Sequence, residues 1–297
     1  MGHTDVFRAR SWTATATFGL MSSRPVTTLD KTDVLTGLFA VWDEIDGVLA
    51  GLPDEQWQAQ TPLPGWTVHD VTAHLIGTES MMQGVATPDA DIDLSTLRHV
   101  RNDIGAMNER WVRQFRGSTP TDMLDRFRST TAKRREQLTE MSDADWNQVT
   151  LTPAGPDTYG RFMRVRDFDC WMHLHDIRDA LGLAATDPAG PAARLALDEM
   201  TASMGFVVGK LGGAPEGSRV AIVLTGPLAR TINVAVEGRA RVVDDFGGRE
   251  PTTTITVDGL LFTRLAGGRT TVDHGAISYG GDQAVGQRIV EHLNYVI

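Results

Sequence analysis

From Lys31 to about Leu52 the apolar positions of VLTGLFAVWDEIDGVLAGL recur at helical spacing, and the pattern closes on Gly51, Leu52 and Pro53, which predicts an amphipathic helix with a defined stop. After TPLPGW, Thr67 and Asp70 stand at the two ends of a capping box, with Trp66 and Val71 at the hydrophobic-staple positions around it. A second helix therefore begins just after Thr67 and carries His74 in its second turn. STLRHVRNDIGAMNERWVRQFRG and TPTDMLDRFRSTTAKRREQLTEM predict two further helices, LTPAGPDTYG predicts a Pro/Gly loop, and a fifth helix runs through DFDCWMHLHDIRDALG. No strand is expected up to residue 182, so this half reads as a helix bundle.

Beyond LAATDPAGPAA the period changes. One helix, ALDEMTASMGFVVGKLGG, leads into RVAIVLTG, RTINVAVEG, ARVVDD and TTTITVDG, each β-branched, alternating and bounded by turn residues. LLFTRLAGG and AVGQRIVEHLNYVI predict helices, and AISYGGD a short strand. The second half is expected to be a small α+β domain with an antiparallel sheet. The divisions expected are a disordered leader over 1–28, with Met21 a candidate initiator, a bundle over 29–185 and an α+β domain over 186–297.

A chain of 297 residues is long enough for two such domains. Its net charge of −10, with no Lys/Arg cluster, argues against nucleic-acid or anionic-membrane partners. No apolar run is long enough to span a bilayer. The only cysteine, Cys170, excludes an intramolecular disulfide and suits a reducing cytoplasm.

The chemistry concentrates in the fifth helix. At about 100° per residue, Asp169, His173 and Asp176 fall in the same stripe as Val165, Met172, Ile177 and Ala180, the stripe that should be buried. His175 and Arg178 project elsewhere, and His69 and His175 are expected at the surface. Cys170 turns away from the stripe and is expected to be an inert buried thiol. A buried carboxylate needs a partner or a metal, and both readings stand. Asp169 and His173 at i, i+4 are either a hydrogen-bonded core pair or two ligands gripping one ion from one helix face.

His74, at the edge of the stripe of Val68, Val71, Leu75 and Met82, is likewise a core histidine or a third ligand. Two histidines, one carboxylate and an open position would suit a catalytic metal. With Zn²⁺ the set carries net +1 and favours an anionic guest such as thiolate or hydroxide. Asp176 would orient His173, accept a proton or pair with a nearby arginine.

TPLPGWTVHDVTAHLIGTE together with RDFDCWMHLHDIRDALG, with NDIGAMNERWV and LTPAGP between them, resembles the mycothiol-dependent maleylpyruvate isomerase family of actinobacteria, over a span from about Leu29 to the end. The resemblance implies a DinB-like metal-binding helix bundle followed by a sterol-carrier-like α+β domain. It implies His74, Asp169 and His173 as metal ligands, with aspartate where the best-studied members carry glutamate. It also matches Arg269 in RLAGGR to an arginine of the C-terminal domain that serves catalysis and cofactor binding at the cleft.

The implied activity is that of a cytoplasmic S-transferase or isomerase, monomeric or homodimeric. It would activate mycothiol as a thiolate on a divalent metal, best Zn²⁺, for attack on a small electrophile. The rivals are a metal-dependent hydrolase using bound hydroxide, a non-haem iron oxygenase, and a non-catalytic small-molecule binding protein.

Overall fold

The computed structural model describes residues 26–296 apart from residues 90–91, 94–95, 98 and 154. All but Val26 to Thr28 of the expected leader lies outside the described residues. Thr27 is fastened, since its N–H and Oγ1–H both donate to the Asp157 carboxylate, at 2.6 and 2.9 Å.

Helix α1 (Lys31–Ala50) buries Val34, Leu38, Val41, Trp42, Ile45 and Leu49, the face its pattern predicts. Helix α2 (Val68–Met82) starts at the expected capping box, with Asp70 N–H donating to Thr67 Oγ1 at 3.3 Å and Thr67 N–H to Asp70 Oδ2 at 3.1 Å. Helix α3 (Asp103–Phe115) begins later than the pattern from Ser95 suggests, because the Asn102 side chain caps it by accepting from Gly105 N–H at 2.9 Å. Helix α4 (Pro120–Glu140) is capped by Thr119 with Pro120 in its first turn, and α5 (Asp143–Trp146) is a single turn.

The segment expected as a loop is instead a two-stranded hairpin, β1 (Val149–Thr152) against β2 (Gly155–Thr158). Pro156 sits in a ribbon with a single partner strand, where its missing N–H breaks no ladder on the outer side. Helix α6 (Tyr159–Leu181) follows and stops at Gly182, whose left-handed φ of 65° suits glycine at a helix end.

Helix α7 (Pro191–Phe206) leads to a five-stranded sheet in the order β5-β4-β3-β6-β7. Its strands are β3 (Arg219–Thr225), β4 (Arg230–Glu237), β5 (Arg239–Val243), β6 (Thr253–Asp258) and β7 (Ser278–Gly281), with α8 (Gly259–Ala266) and α9 (Gln283–Glu291) completing the fold. The expected antiparallel sheet is mixed: β3 and β6 run parallel, Ile222 opposite Ile255. After β5 the chain returns to the far side of β3, where Thr252 N–H donates to Arg219 O at 2.8 Å and fixes the start of β6. Hydrophobic alternation sets which face of a strand is buried, but not its direction.

Helix α6 runs through the centre, packed by α1, α7, α2 and the hairpin. It is therefore buried on most of its circumference, and the expectation that His175 lies at the surface is corrected: it is buried, with the Trp171 ring edge-on at 4.3 Å. His69 is also buried, its Nε2 at 3.1 Å from Ser118 O.

Burial, reinforced by the charges of Arg178 and Arg264, pushes the His175 pKa down to about 4. The folded state thus favours neutral imidazole, so this stability is complete above the ordinary value near 6.5 and is lost as pH falls towards 4. Urea unfolding should show up to about 3 kcal/mol of such loss, and His175→Gln should flatten the dependence over that window. An unchanged slope in the variant would refute the assignment.

Candidate metal centre

The capping box sets the phase of α2, and α6 faces it, so His74 meets Asp169 and His173 across the bundle. His74 Nε2 lies 3.1 Å from Asp169 Oδ2, and the two imidazole centroids are 4.7 Å apart. One ligand atom from each of the three residues falls within 4.8 Å of the others. The hydrogen-bonded pair of Asp169 with His173 is not what forms. His173 Nε2 is 3.6 Å from Asp169 Oδ1, while His173 Nδ1 binds Asp176 Oδ2 at 2.9 Å. Both imidazoles are buried, whereas the Asp169 side chain is 30% exposed and marks the open side.

The protonation states fit a divalent cation. Burial lowers the His74 pKa, against the raising pull of Asp169, and so favours the neutral ring. Burial alone would raise Asp169, but the positive charge of Arg166, with the hydrogen bond to His74, outweighs it and holds the carboxyl well below the usual range. A neutral imidazole and an ionised carboxylate are what metal ligation requires. His74 Nδ1 is buried with no hydrogen-bond partner among the described residues, so one nitrogen of this ring is uncommitted.

Asp176 links His173 to the C-terminal half. Arg269, just beyond α8, donates from Nε to Oδ1 at 3.0 Å and from Nη2 to Oδ2 at 2.9 Å, a bidentate clasp, and also donates to Gly267 O. Despite burial, the His173 hydrogen bond and the Arg269 charge lower the Asp176 pKa. Arg269 is expected at the cleft. The structure sets it behind the imidazole, only 9% exposed and with its guanidinium engaged by protein. Trp66 packs on the other side, its ring 5.4 Å from His74 and 6.3 Å from His173, and its Nε1–H donates to Glu109 Oε1 at 2.6 Å.

Sequence reasoning missed the charged row beneath Asp169. Arg166 Nη1 donates to Asp169 Oδ2 at 2.5 Å and Nε to Glu79 Oε1 at 2.9 Å. Arg134 Nε donates to Glu79 Oε2 at 3.0 Å, and its Nη2 to Tyr159 Oη at 3.1 Å. The signal was present in the i, i+3 spacing of Arg166 and Asp169, and in a glutamate, Glu79, within the buried face of α2. Cys170 stands apart from the ligands, as expected. It is fully buried, its Sγ 3.6 Å from Arg166 Nη2, and burial pushes its thiol well above the ordinary range, which suppresses thiolate.

Residues 38–178 match the model of the mycothiol maleylpyruvate isomerase N-terminal domain, and residues 194–288 match that of the MDMPI C-terminal domain. Two uncharacterized proteins of Mycobacterium tuberculosis, from strains CDC 1551 and H37Rv, are each 26% identical over 205 residues, 68% of this chain and 76% of theirs. Among solved structures, the crystal structure of a mycothiol-dependent maleylpyruvate isomerase superposes with a TM-score of 0.57 at 15% identity, covering 85% of this chain and 93% of that one. A point mutant of that enzyme gives 0.54 at 16% identity with the same coverage. At these identities the structural likeness speaks for the fold. Among the described residues no helix is long and apolar enough to cross a membrane.

Proposed function

The chain belongs to the mycothiol maleylpyruvate isomerase family, and from that premise we propose that it is an enzyme that activates mycothiol as a thiolate for attack on a small electrophile. The observation that carries this reading is the convergence of His74, Asp169 and His173, with one side left open at Asp169. These residues would hold one divalent ion, best Zn²⁺ for a nitrogen-rich set that must accept a sulfur ligand. When bound, such an ion lowers the pKa of a coordinated thiol from its free value of about 8.5, so that thiolate prevails at neutral pH.

The chain's own residues do the rest. Asp176 accepts a hydrogen bond from His173 Nδ1–H, which leaves Nε2 to present its lone pair. Arg269 clasps Asp176 and so holds the imidazole orientation from the C-terminal half. Trp66 walls one side and limits water access. We take residues 29–185 as the ligand-bearing domain and 186–297 as the domain that contributes Arg269. Thiolate addition followed by expulsion after bond rotation gives isomerisation, and retention of the new C–S bond gives S-transfer.

The test is to load purified protein with one equivalent of Zn²⁺ and follow consumption of maleylpyruvate and of monochlorobimane with mycothiol, with other thiols and with none. Turnover should depend on mycothiol. Equal rates without any thiol would replace this reading with hydrolysis by bound hydroxide. Inertness towards both electrophiles in the metal-loaded protein would replace it with a binding role.

A further inference from the structure

Beneath the three candidate ligands lies a buried row of charge that crosses the bundle: Arg134 on α4, Glu79 on α2, Arg166 and Asp169 on α6. Arg166 is held from behind. Its Nε donates to Glu79 Oε1 at 2.9 Å, and Glu79 is in turn fixed by Arg134, which Tyr159 and Gln137 also hold. A guanidinium is a rigid fork, so fixing one edge aims the other.

The aimed edge meets one oxygen of Asp169 and not the other. Oδ2 receives Arg166 Nη1 at 2.5 Å and has His74 Nε2 at 3.1 Å. Towards Oδ1, His173 Nε2 is 3.6 Å away, beyond hydrogen-bond range. We infer that Arg166 is a positioning residue that occupies Asp169 Oδ2 and leaves Oδ1 alone to ligate the ion, which keeps a coordination position open for the thiolate. The inference rests on the metal reading above and adds to it how the open position is preserved.

A carboxylate free at both oxygens can close on a cation in bidentate fashion and fill a fourth position itself. Where the second oxygen is held by a guanidinium that Glu79 fixes in place, closing on the ion weakens a charge-assisted hydrogen bond, which favours ligation through Oδ1 alone. The charge count points the same way. Arg134 and Arg166 balance Glu79 and Asp169, and Arg269 balances Asp176, so these six charged groups sum to zero. A divalent ion therefore leaves the cluster at +2, not the +1 counted from the ligands alone, and the preference for an anionic sulfur ligand is correspondingly stronger.

Co²⁺ is the probe, because its visible absorption is strong in four-coordinate sites and weak at higher coordination, and a thiolate on Co²⁺ adds a near-ultraviolet charge-transfer band. Wild-type protein should bind one equivalent of Co²⁺ and develop that band on titration with mycothiol. Failure at this stage, or unaltered Co²⁺ binding in His173→Ala, overturns the metal reading itself.

The positioning role is then read by comparing Arg166→Gln and Arg166→Lys with wild type, each checked for folding by near-ultraviolet circular dichroism. In Arg166→Gln, Co²⁺ should bind at least as tightly, since a positive neighbour is gone, but with a weaker visible spectrum. Its mycothiol affinity should fall by about tenfold or more. Arg166→Lys keeps the charge without the fork and should fall between. It carries the comparison if the glutamine variant does not fold. Spectra and thiol titration matching wild type in a folded variant would overturn the role, as would loss of Co²⁺ binding with the fold intact.

Discussion

His173→Ala is expected to leave the protein folded but without a stoichiometric divalent ion. The substitution removes a buried imidazole, yet Asp176 keeps both hydrogen bonds from Arg269 and so is not left as an unpaired buried charge. What is lost is one of the three proposed ligands. Residues that merely orient a ligand are worth about 10- to 100-fold in metal affinity, so loss of the ligand itself should exceed about 100-fold. Elemental analysis after dialysis should find metal near one equivalent in wild type and near none in the variant. Mycothiol-dependent turnover should disappear with it. His74→Ala should behave alike. His175→Ala, only two residues further along α6 but packed against Trp171, should retain its metal. Full metal content in both ligand variants would dismiss the site.

That contrast between His173 and His175 bears on how far the sequence could be read. Helical projection separates the two, and it groups Asp169, His173 and Asp176 correctly, because α6 is one unbroken helix and phase is conserved along it. Projection also assumes that a helix has one wet face. Helix α6 has almost none, and so Arg161, Arg166 and Arg178 are buried beside His175, each with an acidic partner from a distant segment: Glu199, Glu79 and Glu44. A charged residue in a pattern looks the same whether it faces water or a counter-ion 2.8 Å away, as the buried Arg178 faces Glu44.

His74 illustrates the other limit. The capping box at Thr67 and Asp70 fixed where its helix begins, and hence its phase, but not which helix it faces. That needed a resemblance between whole motifs, since no local rule relates residues 95 positions apart. The hairpin β1/β2 and the parallel pairing of β3 with β6 were missed for a kindred reason. Turn residues and alternation report local shape, while partner and direction are decided by how the chain returns.

Glu79→Ala should be among the most destabilising single substitutions in the bundle. Among the described residues its carboxylate is the only acidic group that pairs with Arg134, and it also pairs with Arg166, with all three side chains almost fully buried. Removing it leaves two guanidiniums in a dry interior with one carboxylate, Asp169, and neutral acceptors such as Tyr159 Oη to share. Breaking a buried ion pair from one side costs about 3–5 kcal/mol, against a total stability of about 5–15 kcal/mol for a folded domain. The urea midpoint of the bundle should drop accordingly, without a matching change in slope.

The size of the effect comes from stranded charge, not from lost attraction. Replacing Glu79, Arg134 and Arg166 together by methionine, which removes the three most buried charges at once and leaves Asp169 part-exposed beside His74, should therefore cost less than Glu79→Ala alone. The triple variant should nevertheless lose the thiol affinity that depends on the grip of Arg166 on Asp169. A triple variant less stable than the single one would mean that the row is a net source of stability. Near-wild-type stability with weakened thiol binding would mean that the row is held in the core for what it does to the carboxylate at its end.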